Sequence, residues 1–231
     1  MDISQVIDKR ISRRTYSQTR LSHENIEKLQ SIIDEINNAS DLSIKFVTDG
    51  KDSFSDFLKG YGVFKNVQSY FAMIGKISDE NVFEKVGYYG EKLVLEATEL
   101  GLGTCWIAGT YDKKKMANIV GYDEILTCIV TVGNISDQSL QEKAVRRMVR
   151  RKTKTIKELY TSNEEVPQWF LKGLESVQKA PSAANRQPVV FGYNNGKVTA
   201  SVPKKFDFEL IDLGIAKYHF EIMSGYKFEN K

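Results

Sequence analysis

The sequence is poor in the residue types on which several protein classes depend. Its 231 residues include two cysteines, two histidines and four prolines. Cys105 and Cys128 are far apart, in apolar surroundings and without CxxC or metal-ligand spacing, so we expect buried thiols in a reducing compartment. His23 at a helix start and His219 beside Phe220 fit capping or packing roles. No stretch pairs a nucleophile with a base, and the sequence predicts neither a metal site nor side-chain catalysis.

Long apolar runs are also missing. The longest of them, such as ILTCIVTVG, have the length of a buried strand and fall short of a membrane span. The first ten residues, MDISQVIDKR, contain no apolar signal core and fit the start of an amphipathic helix. We therefore expect a cytoplasmic protein without a membrane partner.

A large excess of one charge sign is missing too, because 33 basic residues face 30 acidic ones and the formal net charge is only +3. The basic residues nevertheless cluster in RRMVRRKTK, residues 146–154, and in RISRR, residues 10–14. Each cluster fits a solvated helix face or a helix terminus, and each also fits an anion site or a nucleic-acid patch. No RNA- or DNA-binding motif accompanies the charge, so we expect no nucleic-acid partner.

Apolar periodicity predicts a mixture of helices and strands. Ser22 is a typical N-cap for the helix that follows it, and Gly101 is a natural helix stop. The predicted helices are residues 3–11, LSHENIEKLQSIIDEINNAS, one or two helices within 51–67, VGYYGEKLVLEATELGLG and DKKKMANIVGY. The predicted strands are SIKFVTDG, SYFAMIGKIS and ILTCIVTVG, and the last of these is expected to be central.

The C-terminal part repeats this plan. EEVPQWFLKGLESVQKAPSAANRQPVVFGYNNGKVTASV predicts helix, loop, strand, turn and strand, and FELIDLGIAKYHFEIMS predicts a final helix. ENIEKLQSIIDEINNASDLSIKFVTDG near the N-terminus shows the same helix–loop–strand–turn order, and DLGIAKYHFEIMS is similar to GEKLVLEATELG. The pattern indicates a weak internal duplication, although helix–loop–strand units are also common in unrelated domains.

Three stretches carry candidate binding residues, and the first is RISRRTY. Arg10, Ser12 and Arg14 alternate where the first helix gives way to extended chain, so their side chains point to one face. Two guanidinium groups and a hydroxyl match the oxygens of a phosphate. A polar, exposed linker shows the same spacing, and the spacing alone favours the linker.

The second stretch is GLGTCWIAG, residues 101–109. Its glycines allow a close approach to the main chain, but it lacks the pattern and context of a phosphate loop. A helix end followed by a buried strand explains it equally well.

The third stretch, KAPSAANRQPVVFGY, places two prolines around small and amide residues. Pro181 and Pro188 stiffen the chain, Ser182 and Ala183 leave space above it, and the amides of nearby Asn185 and Gln187 both donate and accept hydrogen bonds. The loop suits a flat ligand, and it suits a helix-to-strand connection about as well. If the protein carries out chemistry, the reactive group comes from a cofactor.

Together these stretches resemble the flavin-dependent nitroreductase family. VIDKRISRRTYS is similar to the family's RRSxRxF-like arm, with Ile11 in place of the second arginine. APSAANRQPVV is similar to APSAxNxQPW, with Val189 in place of tryptophan. GEKLVLEATELGLGTCWIAG resembles the family's long helix with its LGLGT end, and KTKTIKELY resembles its basic closing segment. The resemblance covers most of residues 1–160 and about 175–195.

The resemblance implies an α+β fold, with an antiparallel-rich central sheet flanked by helices, and FMN as the cofactor. It implies that Arg10 and Ser12 bind the phosphate and that Arg14 lies near N1 and O2 of the ring, where a cation stabilises the reduced flavin. It places main-chain N–H groups of Ile107, Ala108 and Gly109 near N5 and O4. The remaining implied cofactor contacts are Lys152, Lys154, Pro181, Ser182, Ala183, Asn185 and Gln187.

The family further implies a function. NADH or NADPH would give hydride to flavin N5, and a small oxidant such as a nitroaromatic or quinone would then take the electrons in a ping-pong scheme. No side chain is then expected to be catalytic, because the flavin carries the chemistry. A flavin-binding or storage protein without turnover is the alternative.

The position of the APSA loop departs from the family pattern. In most members it follows the first helix closely, whereas here it lies near the C-terminal end and INNASDL occupies the usual place. With the weak duplication, this predicts two pseudo-repeated halves in one chain: residues 1–160 with the arm and the GLGT helix, and residues 161–231 with the loop. Such a chain is expected to be a monomeric pseudo-dimer or a homodimer, with one flavin site or two.

Overall fold

The computed structural model describes residues 1–50, 64–108, 116–150 and 153–229, and the chain forms two compact units. The four-stranded unit comprises Lys9–Val82 and Leu93–Arg147, and the three-stranded unit comprises Met1–Asp8, Phe83–Lys92 and Met148–Lys231. Gly109, Lys152, most of the helices predicted at 51–67 and residues 112–115 of the helix predicted at 112–122 lie outside the described residues; the described part of the latter contains a short 3-10 helix, Ala117–Ile119. No helix in the described ranges is long and apolar enough to cross a membrane.

An antiparallel sheet forms the centre of the four-stranded unit. Its strands are β1 (Lys45–Val47), β2 (Ser69–Lys76), β3 (Leu102–Ile107) and β4 (Glu124–Asn134), in the order β1-β2-β4-β3. The prediction that ILTCIVTVG is central is confirmed, because β4 lies between β2 and β3. Strand β3 is an edge strand, and its free side takes a parallel bridge between Ser12 and Thr104.

Helix α2 (His23–Ser40) begins and ends as its sequence predicts. The Ser22 side chain accepts a hydrogen bond from the main-chain N–H of Asn25, as expected of an N-cap. Leu29, Ile33 and Ile36 form its buried stripe. An apolar cluster on the sheet of this unit is made of Tyr16, Val67, Tyr70, Ala72, Ile74, Ile107, Met116 and Ile129.

Helix α3 (Val82–Glu99) contributes to both units, since residues 83–92 belong to the three-stranded unit. It ends at Leu100, and Gly101 follows with φ of 78°, which confirms the predicted helix stop. Helices α1 (Ile3–Lys9) and α4 (Leu140–Arg150) also cross the boundary between the units.

The three-stranded unit contains β5 (Tyr160–Ser162), α5 (Gln168–Lys179), β6 (Val190–Asn194), β7 (Lys197–Ser201) and α6 (Asp207–Ser224). Strand β6 pairs with β5 in parallel and with β7 as an antiparallel hairpin, whose turn places Asn195 and Gly196 at positive φ. Its core is mostly Leu159, Phe170, Leu174, Val177, Val189, Phe191, Val198, Leu213, Ala216 and Phe220. The predicted α+β class with antiparallel sheet is confirmed, and the two repeated halves remain a prediction.

Candidate functional site

The arm, residues 10–16, lies along the free edge of β3. The main-chain N–H of Arg13 donates to the carbonyl of Thr104 at 2.8 Å, and Lys65 N–H donates to the Arg14 carbonyl at 2.9 Å. The Tyr16 hydroxyl donates to the Arg13 carbonyl at 2.8 Å and lies 2.6 Å from Thr131 Oγ1. The arm is therefore fixed to β3 on one side and to the chain at Lys65 on the other.

Side chains of the arm alternate between the interior and the surface. Arg10, Ser12 and Arg14 are half-buried, whereas Arg13 between them is buried. This is the arrangement expected of extended chain, and it leaves two guanidinium groups and a hydroxyl on the outward face.

The three half-buried residues all act on one buried thiol. Burial raises the pKa of Cys105, while the charges of Arg14 and Arg10 and a side-chain hydrogen bond with Ser12 act to lower it. All three groups therefore lie within electrostatic or hydrogen-bonding reach of one sulfur atom in β3. Both cysteines are free and buried, as predicted, and burial raises the pKa of Cys128 to about 12.

Gly103 in the GLGT stretch makes room for the protein's own chain. A Cβ atom at this position would lie 2.8 Å from Cγ of Arg13 and 2.6 Å from Cγ2 of Ile135. The aliphatic part of Arg13 therefore crosses the strand at this glycine. Farther along β3, Ile107 is buried and Ala108 is exposed at the end of the strand.

The loop of residues 181–188 has an unusual backbone. Ala184, Asn185 and Gln187 all adopt positive φ, at 52°, 53° and 47°. An alanine in the left-handed region costs about 1–2 kcal/mol. Such conformations persist only where the surroundings enforce them, and they cluster at ligand-binding sites.

Hydrogen bonds around Gln187 enforce this conformation. Its side-chain oxygen accepts from Lys154 N–H at 2.8 Å, its amide donates to the Gln178 carbonyl at 3.1 Å, and its main-chain N–H donates to Ser182 Oγ at 3.0 Å. Lys154 Nζ donates to the Gln187 carbonyl at 2.8 Å. Gln187 is buried, so it locks the loop. Asn185 is half-buried, with Nδ2 at 3.3 Å from Thr153 Oγ1.

Asp212 of helix α6 supports the loop from below. Its carboxylate accepts from the Ala183 N–H at 3.1 Å. Burial raises the pKa of Asp212 to about 7, with a smaller contribution in the same direction from Glu209, while the Ala183 hydrogen bond and Arg186 act to lower it.

Replacing Asp212 by asparagine should flatten the pH dependence of stability. From about pH 4 to pH 7 the folded carboxyl keeps a proton that the unfolded one, with its ordinary pKa of 3.8, has released. The folded state then binds more protons, so the wild type loses up to about 1.4 kcal/mol per pH unit as pH rises. The amide oxygen of the asparagine would still accept from Ala183 without titrating.

Urea unfolding at pH 5, 6, 7 and 8 measures this difference. The free energy of unfolding of Asp212→Asn, relative to that of the wild type, is expected to increase at each step up to pH 7. Asp207→Asn, at an exposed position in the same helix, is the control and should keep the wild-type slope. Equal slopes for Asp212→Asn and the wild type would contradict the prediction.

The predicted site residues form two groups, one in each unit. Arg10, Ser12, Arg14, Ile107 and Ala108 lie in the four-stranded unit around the free edge of β3. The second group lies in the three-stranded unit, where Lys154 and residues 181–187 form one hydrogen-bonded loop. Their predicted contacts with a cofactor remain predictions. Among the described residues, no cluster of three or more His, Cys, Asp or Glu side chains is arranged to hold a metal ion.

Sequence reasoning missed the residues that hold these groups in place. Arg13 and Glu142 anchor the arm, and Asp212 anchors the loop. The alternation that predicted an outward face for Arg10, Ser12 and Arg14 also implied an inward side chain at position 13. No local signal identified Glu142 or Asp212, because their partners are distant in the sequence.

Comparison with known proteins places the chain among nitroreductases. The model of a family described as "Putative TM nitroreductase" matches residues 2–224. No curated protein matches the sequence.

Solved structures agree on the fold. A putative nitroreductase from Thermotoga maritima is 24% identical over 96% of this chain and 83% of its own, with a TM-score of 0.59. A nitroreductase family protein from Clostridium difficile 630 is 16% identical over 72% of this chain and 100% of its own, with a TM-score of 0.53. An FMN-dependent nitroreductase from Clostridium difficile R20291 is 22% identical over 58% of this chain and 88% of its own, with a TM-score of 0.49. The first two likenesses establish a nitroreductase-like α+β fold.

Proposed function

The chain belongs to the "Putative TM nitroreductase" family, and on that premise we propose that it is an FMN-dependent oxidoreductase. When bound, FMN would supply the chemistry, taking hydride from NADH or NADPH and passing electrons to a small oxidant such as a nitroaromatic or a quinone. The observation that carries the proposal is the arm itself, in which Arg10, Ser12 and Arg14 take half-buried positions where the chain is held against β3 by the Ser12–Thr104 bridge and the Arg13–Thr104 hydrogen bond.

The donors on the arm fit a phosphate. Arg10 and Arg14 each offer a planar fork of N–H groups, and Ser12 offers a hydroxyl that can donate to an anionic oxygen. All three side chains are half-buried, which keeps them accessible while weakening the competition from water. Arg13, in contrast, is buried and paired with Glu142, so its guanidinium is engaged within the protein.

Arg10 and Ser12 would bind the phosphate, and Arg14 would hold positive charge near the ring. The Arg14 guanidinium lies 6.0 Å from the centre of the Phe64 ring, an aromatic contact that limits the orientations it can adopt. Residues 181–187 are proposed to bind the cofactor on the strength of the APSAxNxQP resemblance and of their strained backbone.

Arg10→Ala tests the phosphate assignment. Loss of a charge-assisted hydrogen bond costs about 1.5–3 kcal/mol, so we expect FMN to bind about 10- to 150-fold more weakly. Fluorescence titration of apoprotein with FMN measures the dissociation constant. Arg20→Ala is the matched control, because Arg20 is an exposed arginine of the same unit paired with Asp49, and it should bind FMN like the wild type.

Wild-type apoprotein that binds no FMN would overturn the proposed function, and an unchanged affinity in Arg10→Ala would overturn the assignment of Arg10. Anaerobic addition of NADH or NADPH separates an enzyme from a storage protein. Bleaching of the yellow flavin absorbance supports the enzyme, whereas an oxidised flavin that neither donor reduces supports storage.

A pseudo-dimeric chain is proposed as well. The close crossing of α3 and α6 supports it, since Gly87 faces the carbonyl of Ile211 and Gly214 faces the carbonyl of Glu84. Ile211 precedes Gly214 by three positions, and Glu84 precedes Gly87 by three positions. The two helices therefore make the same contact in both directions, as the two copies in a two-fold interface do. Light scattering at several concentrations decides between the two states that the sequence leaves open, because the monomeric pseudo-dimer has the mass of one chain and the homodimer the mass of two.

A further inference from the structure

Glu142, in the first turn of α4, binds the arm from inside the four-stranded unit. Its Oε1 accepts from Arg13 Nε at 3.0 Å and from the main-chain N–H of Arg14 at 2.9 Å. The second guanidinium contact of Arg13 is a hydrogen bond from Nη2 to the carbonyl of Ser136. The side chains of Arg13 and Glu142 are 8% and 1% exposed, so the pair is almost fully removed from water.

These contacts determine which way the neighbouring side chains point. With the Arg13 side chain drawn inward and the Arg14 N–H held by Glu142, the alternation of extended chain turns Ser12 and Arg14 outward. The Arg13 N–H bond to Thr104 and the Lys65 bond to the Arg14 carbonyl leave the arm little freedom to rotate. A slip of one residue would bury Ser12 and Arg14 and expose Arg13.

The stability of the fold alone does not explain a charged pair at this position. Removing two charges from water costs about as much as their attraction returns, and apolar residues of similar volume often stabilise a protein at least as well. Hydrogen bonds between the two charges are directional, however, and an apolar pair has no such directionality.

We infer that Glu142 is a positioning residue for phosphate binding, and that the Arg13–Glu142 pair determines how well the arm holds the phosphate of FMN rather than how stable the fold is. The phosphate part rests on the proposed function. The positioning part concerns the arm alone, and the Cys105 thiol beneath Ser12 reports on it without any cofactor.

The double variant Arg13→Met/Glu142→Met separates the two roles. It replaces the ion pair by apolar side chains of similar length and removes the bonds to the Arg14 N–H and the Ser136 carbonyl, so we expect a folded variant whose melting temperature falls by no more than these two hydrogen bonds account for. Affinity for FMN should nevertheless fall about 10- to 100-fold, because the arm is no longer fixed in the orientation that presents Ser12 and Arg14. The same change at an exposed pair of this unit, Glu24→Met/Lys28→Met, is the control and should leave FMN affinity unchanged.

Alkylation of the two thiols by iodoacetamide, followed by peptide mass spectrometry, measures how well the arm covers Cys105. In the double variant Cys105 should react several-fold faster than in the wild type, while Cys128 in the central strand keeps its slow rate. Faster reaction at both thiols indicates global unfolding. In that case Arg13→Lys, which keeps the charge but removes the Nε–H donor that bonds Glu142, takes the place of the double variant with the same readouts.

The outcomes are distinct. A folded variant that binds FMN as tightly as the wild type, with unchanged Cys105 reactivity, overturns the inference. A wild type that binds no FMN removes the proposed function, and the Cys105 rates then still decide whether Glu142 positions the arm.

Discussion

Replacing Glu91 by leucine is expected to lower the free energy of unfolding by about 1–3 kcal/mol, the cost of leaving the buried ring nitrogen Nε2 of His219 without its hydrogen-bond partner. Glu91 Oε1 lies 2.9 Å from His219 Nε2, and the other ring nitrogen of His219, Nδ1, lies 3.0 Å from Ser176 Oγ. Glu91 and His219 are fully buried and Ser176 is 3% exposed. The hydrogen-bonding groups of His219 therefore cannot turn to water when Glu91 is removed.

The double variant Glu91→Leu/His219→Leu should recover most of this loss. When both partners become apolar, the Ser176 hydroxyl is the one group of this cluster that loses its contact, and replacing both partners of a buried pair costs much less than removing one of them. Equilibrium unfolding in urea for the wild type, both single variants and the double variant gives the coupling energy.

An exposed pair of the same two residue types provides the control. His23 Nδ1 lies 3.5 Å from Glu27 Oε1 on the surface of α2, where both side chains are more than two-thirds exposed, at 85% and 69%. Glu27→Leu should change stability by less than about 1 kcal/mol, as exposed pairs contribute little. If Glu91→Leu costs no more than this control, the buried contact does not stabilise the unit.

The environment of His219 shows which contacts a sequence can predict. Its neighbour Phe220 and its position on an apolar helix indicated packing, and the structure confirms that the residue is buried. Its partner Glu91 lies 128 positions away. Nothing in a single sequence joins residues so far apart, because periodicity and capping act over one or two helical turns.

Local signals predicted the local features of the fold well. The Ser22 cap, the stop at Gly101 and the turn at Asn195 and Gly196 are all present. These features depend on backbone sterics and on side chains a few residues apart. Strand β5 was not predicted, because three residues within a basic stretch give no alternation and the strand exists only by pairing with β6.

The same limit applies to the candidate site. The motifs of the arm and the loop were visible, and the half-buried positions of Arg10, Ser12 and Arg14 around the buried Arg13 agree with the alternation expected of extended chain. The contact of Gln187 with the cofactor stays a prediction, while the bonds of its amide to Lys154 and Gln178 within the loop were not expected from the sequence. A motif indicates which residues belong to a site. Whether such a residue contacts the ligand or holds the loop in place depends on contacts between distant parts of the chain.

Gly214→Ala is expected to lower stability at the upper end of the roughly 1–3 kcal/mol that overpacking costs. A Cβ atom at Gly214 would lie 2.0 Å from the carbonyl oxygen of Glu84 and 2.6 Å from the main-chain nitrogen of Tyr88. Main chain cannot rotate away as a side chain can, so the two helices must move apart. Their separation would strain the hydrogen bond from Tyr88 to Glu221, now 2.6 Å long, which lies in the same crossing.

Gly121→Ala is a suitable control, because its Cβ atom would meet only the flexible end of the Glu124 side chain. Its cost, measured by thermal and urea unfolding, should stay below about 1 kcal/mol, as for a site that adjusts by side-chain movement. A Gly214→Ala variant no less stable than this control would mean that α6 shifts freely.

Gly87 connects this prediction to the proposed duplication. A Cβ atom there would lie 2.1 Å from the carbonyl oxygen of Ile211, so Gly87→Ala should cost about as much as Gly214→Ala. A single outward movement of α6 relieves both clashes, and the double variant should therefore be less destabilised than the sum of the singles. If the stability losses of the two single variants add up in the double variant, the two contacts adjust independently. If Gly87→Ala leaves stability unchanged, the two contacts are not equivalent, as a two-fold crossing requires them to be. Two helices that meet through two equivalent contacts should lose similar stability when either glycine is replaced, and one movement of α6 should relieve both clashes.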